Sequence, residues 1–511
     1  MRVYDTLRRR KEEFVPLHEG MVGIYVCGPT VYDDAHLGHA KTYVSFDVVV
    51  RYLRYLGYKV RYVQNITDVG HLTDDADMGE DKILKRARQE RVEPMELAET
   101  YTRNYFRDMD ALNVLRPDIS PRASGHIPEQ IELVRTLIDK GYAYEVNGSV
   151  YFEVAKFPEY GKLSGRRVEE QEEGVRVAVN PDKRHPADFA LWKQAEPGHI
   201  LRWPSPWGWG YPGWHLECSV MSTKYLGQPF DIHGGGLENV FPHHESEIAQ
   251  SEAAFGQPLA RYWLHNNMLT VDGVKMGKSL GNFVTLRQAF ERYSPLTVRF
   301  FILTSHYRST LDFSDEALAA ADKGLRRLLE PAAQIRERLR IAESGEADEE
   351  LLSLLGEHKG RFLEAMDDDF NTAAAIGVLF DLTREVNLLL SSPEEPSRET
   401  LAAIDSLYRE LGTDILGIIP EDIGWVRDRR GQISWVELEV PDATAPGKST
   451  VAAPEDFIQL LVDTRSQLRS AKQWELADEI RRRLAELGIA LEDTPRGTVW
   501  KYTKLTSFRN I

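Results

Sequence analysis

Cysteine is nearly absent from this 511-residue sequence, in which Cys27 and Cys218 are the only two. Such scarcity excludes a disulfide-stapled secreted scaffold, and two thiols so far apart read either as core residues or as metal ligands. No apolar run is as long as a bilayer-spanning helix, and the N-terminal MRVYDTLRRRKEEF has no signal-peptide core; the expectation is a cytoplasmic protein with no membrane partner. An excess of positive charge is lacking too. The formal net charge is −17, so any RNA partner has to be held by local basic patches and by shape, against long-range repulsion. What is present, 42% hydrophobic and 28% charged residues, is an ordinary globular composition on a chain long enough for several domains.

The pattern along the chain supplies the organisation. An apolar run from Met21 to Cys27, a Gly28-Pro29 turn, an amphipathic stretch ending at Gly57 and a second β-like run, YKVRYVQNIT, predict a parallel βαβ unit. Residues 1–116 and 194–313 read as two halves of one nucleotide-binding α/β domain, and 117–193, which contain GSVYFEV, as a domain inserted between them. FDIHGGG predicts a strand running into a glycine turn, FPHHESEIAQSEAAFG a helix stopped by Gly256, and MLTVDGVKM a hairpin around Asp272-Gly273. Apolar residues at helical spacing, among them Phe362, Met366, Phe370, Leu379 and Phe380, predict a helical bundle over 314–440. The proline-rich and small-residue segment 441–454 is a linker, and 455–511 a last small module.

Three groups of residues carry chemistry. His36-Leu37-Gly38-His39 falls at the predicted start of the first helix, where two imidazoles and exposed backbone N–H groups can meet an anion; the competing reading is a helix-capping polar cluster. Lys275-Met276-Gly277-Lys278-Ser279 sets two lysines on a glycine-containing loop, suited to charge developing on transferring phosphates, although a short basic run is commonly just a solvated loop. The third group is metallic. Cys27 ends the first strand, Cys218 sits in GWHLECS, and His243 and Glu247 lie at i and i+4 on one predicted helix; two thiolates, an imidazole and a carboxylate form a plausible tetrahedral zinc set. His244 is a rival for His243, and buried core thiols beside a helix N-terminus are the alternative.

Together with YVCGPTVYDDAHLGHAKTYVSFD, YVQNITD, DFALWK, GYPGWHLECSVM, FDIHGGG and LEDTPRGTVW, these motifs resemble those of the class I aminoacyl-tRNA synthetases, with their paired HIGH and KMSKS signatures. More narrowly, they resemble the cysteinyl-tRNA synthetase family. The resemblance spans nearly the whole chain. It implies an α/β fold: a Rossmann-like class I catalytic domain with an inserted connective domain, then a helical bundle and a small α+β anticodon-binding module. It implies ATP, L-cysteine and tRNA(Cys) as substrates, one Zn2+ per chain, Mg2+ entering with ATP, and a monomer.

By resemblance, His36, Gly38, His39 and Lys278, with Lys275, bind ATP and stabilise its phosphates. Cys27, Cys218, His243 and Glu247 hold zinc. Thr67, Trp214 and His233 line the cysteine pocket, and Arg469, Trp474, Asp478 and Asp493 read the anticodon. Three features depart from the family pattern: Gly277 replaces the first serine of KMSKS, Glu238 stands where aspartate is frequent, and HLTDDADMGED lengthens the loop after the second strand. Two other readings compete: a cysteine ligase acting on an amino sugar, and an inactive zinc- and RNA-binding relative. Against the first, residues 455–511 hold ten Lys/Arg and nine Asp/Glu, near neutrality on an acidic chain, and end in the basic KYTKLTSFRNI. Against the second, His36, His39, Lys275 and Lys278 are all present. A zinc hydrolase is weaker still, since FPHHESE is not HExxH.

Overall fold

The computed structural model describes residues 1–72, 80–166, 180–277, 280–421, 423–427 and 433–437, and most of 461–502. The chain divides into two compact units, Met1–Glu437 and Leu438–Ile511.

The apolar run becomes strand β1 (Met21–Val26), followed by helix α1 (Leu37–Tyr55) and strand β2 (Lys59–Gln64). Helix α2 (Lys82–Glu90) comes after the lengthened loop. The second half of the domain supplies α3 (Leu216–Leu226), β3 (Phe230–Gly236), α4 (Glu245–Phe255) and β4 (Ala260–Asn266). The strands form one parallel sheet in the order β4-β3-β1-β2. Both halves thus build a single sheet, and all four strands deliver their C-terminal ends to one edge, where ligands bind in open α/β folds. At that edge the chain after β1 passes so close to the chain after β2 that a Cβ on Gly28 would fall 1.6 Å from the Asn65 carbonyl oxygen. Only glycine fits there.

Two local expectations need correction. FDIHGGG is strand throughout, its glycines included, with β3 paired on both sides. The helix expected from FPHHESE begins only at Glu245; Val240–His244 form a wider turn broken by an extended Phe241 (φ −140°, ψ 132°). Pro242 leaves its predecessor little access to helical φ and ψ, so the break falls before the two histidines.

Between the halves lies a five-stranded antiparallel sheet built from Ala143–Val146, Ser149–Phe152, Phe189–Gln194, Gly208–Pro212 and Trp203–Ser205. It runs on past residue 193, the expected end of the inserted region. Within it Pro204 sits on the edge strand Trp203–Ser205, the position in a sheet where proline is tolerated.

After β4 the hairpin β5 (Leu269–Val271) and β6 (Val274–Lys275) turns through Asp272 and Gly273, both at positive φ. Helices Asp315–Leu339, Glu349–Asp367, Thr372–Leu390 and Arg398–Tyr408 form the bundle, each N-capped by a side chain, from Ser314, Asp348, Asn371 and Ser397. Their inward residues include Phe362, Met366 and Leu379, with Phe380 only partly buried; Phe370, expected on a helix, is buried in the turn between the second and third helices at positive φ. Buried Arg299 ties the end of the bundle to α1, donating to Asp47 of that helix and to the carbonyls of Leu112, Asn113 and Leu416. No described helix is long and apolar enough to cross a membrane.

Candidate active site and metal centre

A cleft of about 320 Å³ opens at the C-terminal edge of the parallel sheet, with Cys27 and Trp214 among its lining residues together with His36, His39 and Phe283. Beside it, β1, α3 and the turn entering α4 bring four distant side chains together. Cys27, Cys218, His243 and Glu247 are all buried, and one ligand atom from each lies within 4.8 Å of every other. Cys27 Sγ is 3.8 Å from Cys218 Sγ and 3.6 Å from Glu247 Oε1, and His243 Nε2 is 3.2 Å from that same oxygen. The i,i+4 spacing of His243 and Glu247 therefore holds although the helix starts between them.

His244 belongs to a second, overlapping group with Cys27, His233 and Glu247. Its Nε2 lies 3.1 Å from Cys27 Sγ, and its Nδ1 meets His265 Nε2 at 2.8 Å, with His265 in turn bonded to Thr6. His233, expected in the cysteine pocket, is fully buried and holds the other oxygen of Glu247 at 2.8 Å. Burial pushes the His243 imidazole down to about 3 and that of His244 well below its ordinary range, so both are neutral and able to donate a lone pair. Burial likewise lifts the Cys218 thiol to about 12 and the Cys27 thiol well above its usual value. Two thiols, neutral imidazoles and a carboxylate are the donor chemistry of a closed metal site, and a bound dication reverses the sign of the thiol shift.

Trp214 packs on His243, with centroids 4.3 Å apart. Thr67, just beyond β2, is buried and donates to Glu217 Oε1 at 2.5 Å. Burial raises the Glu217 carboxyl well above the usual carboxylate range.

His36 and His39 form a capping cluster and also line the cleft. His36 is the N-cap of α1, accepting from Gly38 N at 3.1 Å, while His39 Nδ1 accepts from His36 N at 3.4 Å. Their rings stack at 3.7 Å and line the cleft. The segment after the lysine loop docks on this helix start: Leu37 N donates to Val284 O, Leu286 N to Ala35 O, and Phe283 meets His36 edge-on at 5.0 Å. Lys275 ends β6, at the root of that loop; Lys278 lies outside the described residues.

In the second unit, Trp474 opens helix Trp474–Glu486 and is 54% exposed, so it is no core residue; the unit's core is Val462, Leu484, Ile489 and Leu491. The Arg469 guanidinium lies 5.9 Å from the Trp474 ring centroid, and Asp478 is exposed one turn along. Asp493 belongs to strand Ile489–Thr494, but its side chain lies outside the described residues. Sequence reasoning missed His71, Lys82, His215, Glu217 and His265. His215 and Glu217 sit inside a quoted motif beside Cys218; the others carry no spacing signal.

The family model described as "tRNA synthetases class I (C) catalytic domain" matches residues 13–323, more than half of the chain, and the DALR domain model matches 361–420. The fold and the site thus define a class I aminoacyl-tRNA synthetase. A solved methionyl-tRNA synthetase of Mycobacterium tuberculosis in complex with methionyl-adenylate shares the fold, with TM-score 0.56 at 17% identity over 78% of this chain and 92% of that one. Curated relatives are nearer: the cysteine-tRNA ligase of Chlorobium luteolum is 53% identical, covering 98% of this chain and 99% of its own. That of Deinococcus radiodurans is 52% identical over 98% and 96%. The chain belongs to the cysteine-tRNA ligase family.

Proposed function

We propose that Cys27, Cys218, His243 and Glu247 hold one zinc ion, and that this ion selects the thiol of cysteine in the family's reaction, the ATP-dependent attachment of cysteine to tRNA(Cys). One observation carries the metal reading. The edge of a tetrahedron is about 1.6 times its centre-to-vertex distance, so zinc-sulfur bonds of about 2.3 Å require sulfurs roughly 3.8 Å apart, and nitrogen and oxygen ligands at about 2.0–2.1 Å require roughly 3.3 Å. The distances are 3.8 Å between Cys27 and Cys218 and 3.2 Å between His243 and Glu247.

When bound, zinc supplies a preference for thiolate over hydroxyl that pocket shape cannot, because serine is nearly isosteric with cysteine. His233 fixes the carboxylate of Glu247, and Trp214 covers His243. His36 and His39, already oriented by the cap of α1, face the triphosphate, which brings Mg2+ with it; Lys275 and Lys278, from the loop after β6, are the lysines we assign to the phosphates. Thr67, held by Glu217, is assigned with Trp214 and His233 to the cysteine pocket. In the last module, Arg469, Trp474, Asp478 and Asp493 are the residues we assign to the anticodon, with the exposed indole offering a stacking face. A cytoplasmic monomer completes this reading.

Cysteine-dependent ATP-pyrophosphate exchange tests the first half-reaction, and transfer to tRNA(Cys) the second. Exchange without transfer to tRNA, combined with transfer to an amino sugar, would favour the small-molecule ligase instead.

A further inference from the structure

The insertion HLTDDADMGED carries no role in the resemblance, yet its two ends enter the site. They are pinched together: Leu72 and Asp81 form an antiparallel bridge, Lys82 N donates to His71 O at 3.0 Å, and Asp81 Oδ1 caps α2 by accepting from Ile83 N and Leu84 N. The pinch sets two side chains eleven residues apart against each other, with Lys82 Nζ 2.8 Å from His71 Nε2. An ammonium group only donates, so His71 Nε2 must accept; Nδ1 then carries the proton and donates to Thr30 Oγ1 at 2.6 Å. The His71 ring also lies flat on Trp214, with centroids 4.2 Å apart and planes within 8°. A continuous chain of contacts thus runs from His243 through Trp214 and His71 to Lys82.

Among the described residues lining the cleft, Lys82 is the one lysine or arginine, in a lining that includes Asp33, Asp34 and Glu238. The reaction brings two anions into this cleft, the carboxylate of cysteine and the α-phosphate it attacks.

We propose that Lys82 binds the anionic oxygens where the cysteine carboxylate meets the α-phosphate, and that His71 is a positioning residue that sets both Lys82 and Trp214. This deepens the function proposed above and rests on it. His71 does so through two separable contacts, a ring face for Trp214 and an acceptor nitrogen for Lys82. A hydrogen bond to a charged group, once lost, costs about 10- to 100-fold in binding or rate.

The test uses the full-length enzyme with Lys82→Met, Lys82→Arg, His71→Phe and His71→Gln. Cysteine-dependent pyrophosphate exchange is measured, together with calorimetric Kd values for cysteine and for cysteamine, which lacks the carboxylate. Lys82→Met is expected to lose about 10- to 100-fold in kcat/KM for cysteine while binding cysteamine as the parent does, and Lys82→Arg to recover most of the loss. His71→Phe keeps the ring and should reproduce the Lys82→Met pattern more weakly. His71→Gln keeps an acceptor and should instead weaken cysteine and cysteamine together, through Trp214. If Lys82→Met exchanges normally, or loses cysteine and cysteamine binding equally, Lys82 does not touch the carboxylate-phosphate junction. If the parent enzyme itself shows no cysteine-dependent exchange, the proposed function fails and this inference with it; normal exchange in the parent and in every variant overturns this inference alone.

Discussion

Cys27 Sγ lies 3.8 Å from Cys218 Sγ although 191 residues separate them, because β1 and α3 come from opposite sides of the inserted sheet and meet at one edge. Burial dominates the surroundings of both thiols and keeps them protonated until a cation arrives. Cys218→Ala should therefore cut bound zinc from one per chain to a small fraction and raise the KM for cysteine at least about tenfold, with the fold retained. Elemental analysis alongside exchange kinetics checks this. Full zinc content in the variant would remove Cys218 from the ligand set.

The two adjacent histidines make different predictions. His243 faces Glu247 within the set that contains both thiols, while His244 is held from behind by His265. His243→Ala is expected to behave as Cys218→Ala does. His244→Ala should keep its zinc and lose stability instead, since it leaves His265 without its buried partner. The opposite assignment of metal loss would move the site to the overlapping group of Cys27, His233, His244 and Glu247.

Lys41, two residues after His39, is buried and donates to the carbonyl oxygens of Met268 and Ser309, at 3.1 and 2.5 Å, so it braces α1 against the hairpin that carries Lys275. Burial lowers its ammonium to about 8. Its folded value is below the unfolded one of 10.5, so between these two the unfolded chain binds more protons and stability rises with pH. Relative to Lys41→Met, the parent should gain roughly 1.4 kcal/mol per pH unit between about pH 8 and 10 in denaturant titrations. A difference that stays flat, or shrinks with rising pH, contradicts the burial of a charged Lys41.

Exposure of Trp474 beside the Arg469 guanidinium suits a base-stacking platform. Stacking of a base on an aromatic side chain is worth about 1–3 kcal/mol. Trp474→Ala should therefore weaken charging of tRNA(Cys) roughly 5- to 150-fold and leave pyrophosphate exchange unchanged. Equal loss in both half-reactions would mean that Trp474 acts through folding.

The parallel sheet, the hairpin at Asp272-Gly273 and the bundle were legible because each rests on local periodicity or turn chemistry, as do the strand ending at Cys27 and the i,i+4 pair of His243 and Glu247. That Cys27 and Cys218 converge was a matter of resemblance, since nothing local relates two elements on either side of an inserted domain. The break before His243 was hidden by a helical pattern that continues through it, and only Pro242 marks it. The edge hairpin Trp203–Pro212 was masked by its own proline and glycine. His71 and Lys82 were invisible for a different reason: a polar loop reads as solvated until its ends are seen to close on the cleft.

The most direct test of the central account is cysteine-dependent ATP-pyrophosphate exchange by the zinc-loaded full-length enzyme, with serine as the competing substrate and tRNA(Cys) then added. The account predicts exchange with cysteine, strong discrimination against serine that collapses in Cys218→Ala, and formation of cysteinyl-tRNA(Cys) once tRNA is present. Serine-dependent exchange comparable to that with cysteine, or selectivity untouched by Cys218→Ala, would contradict it.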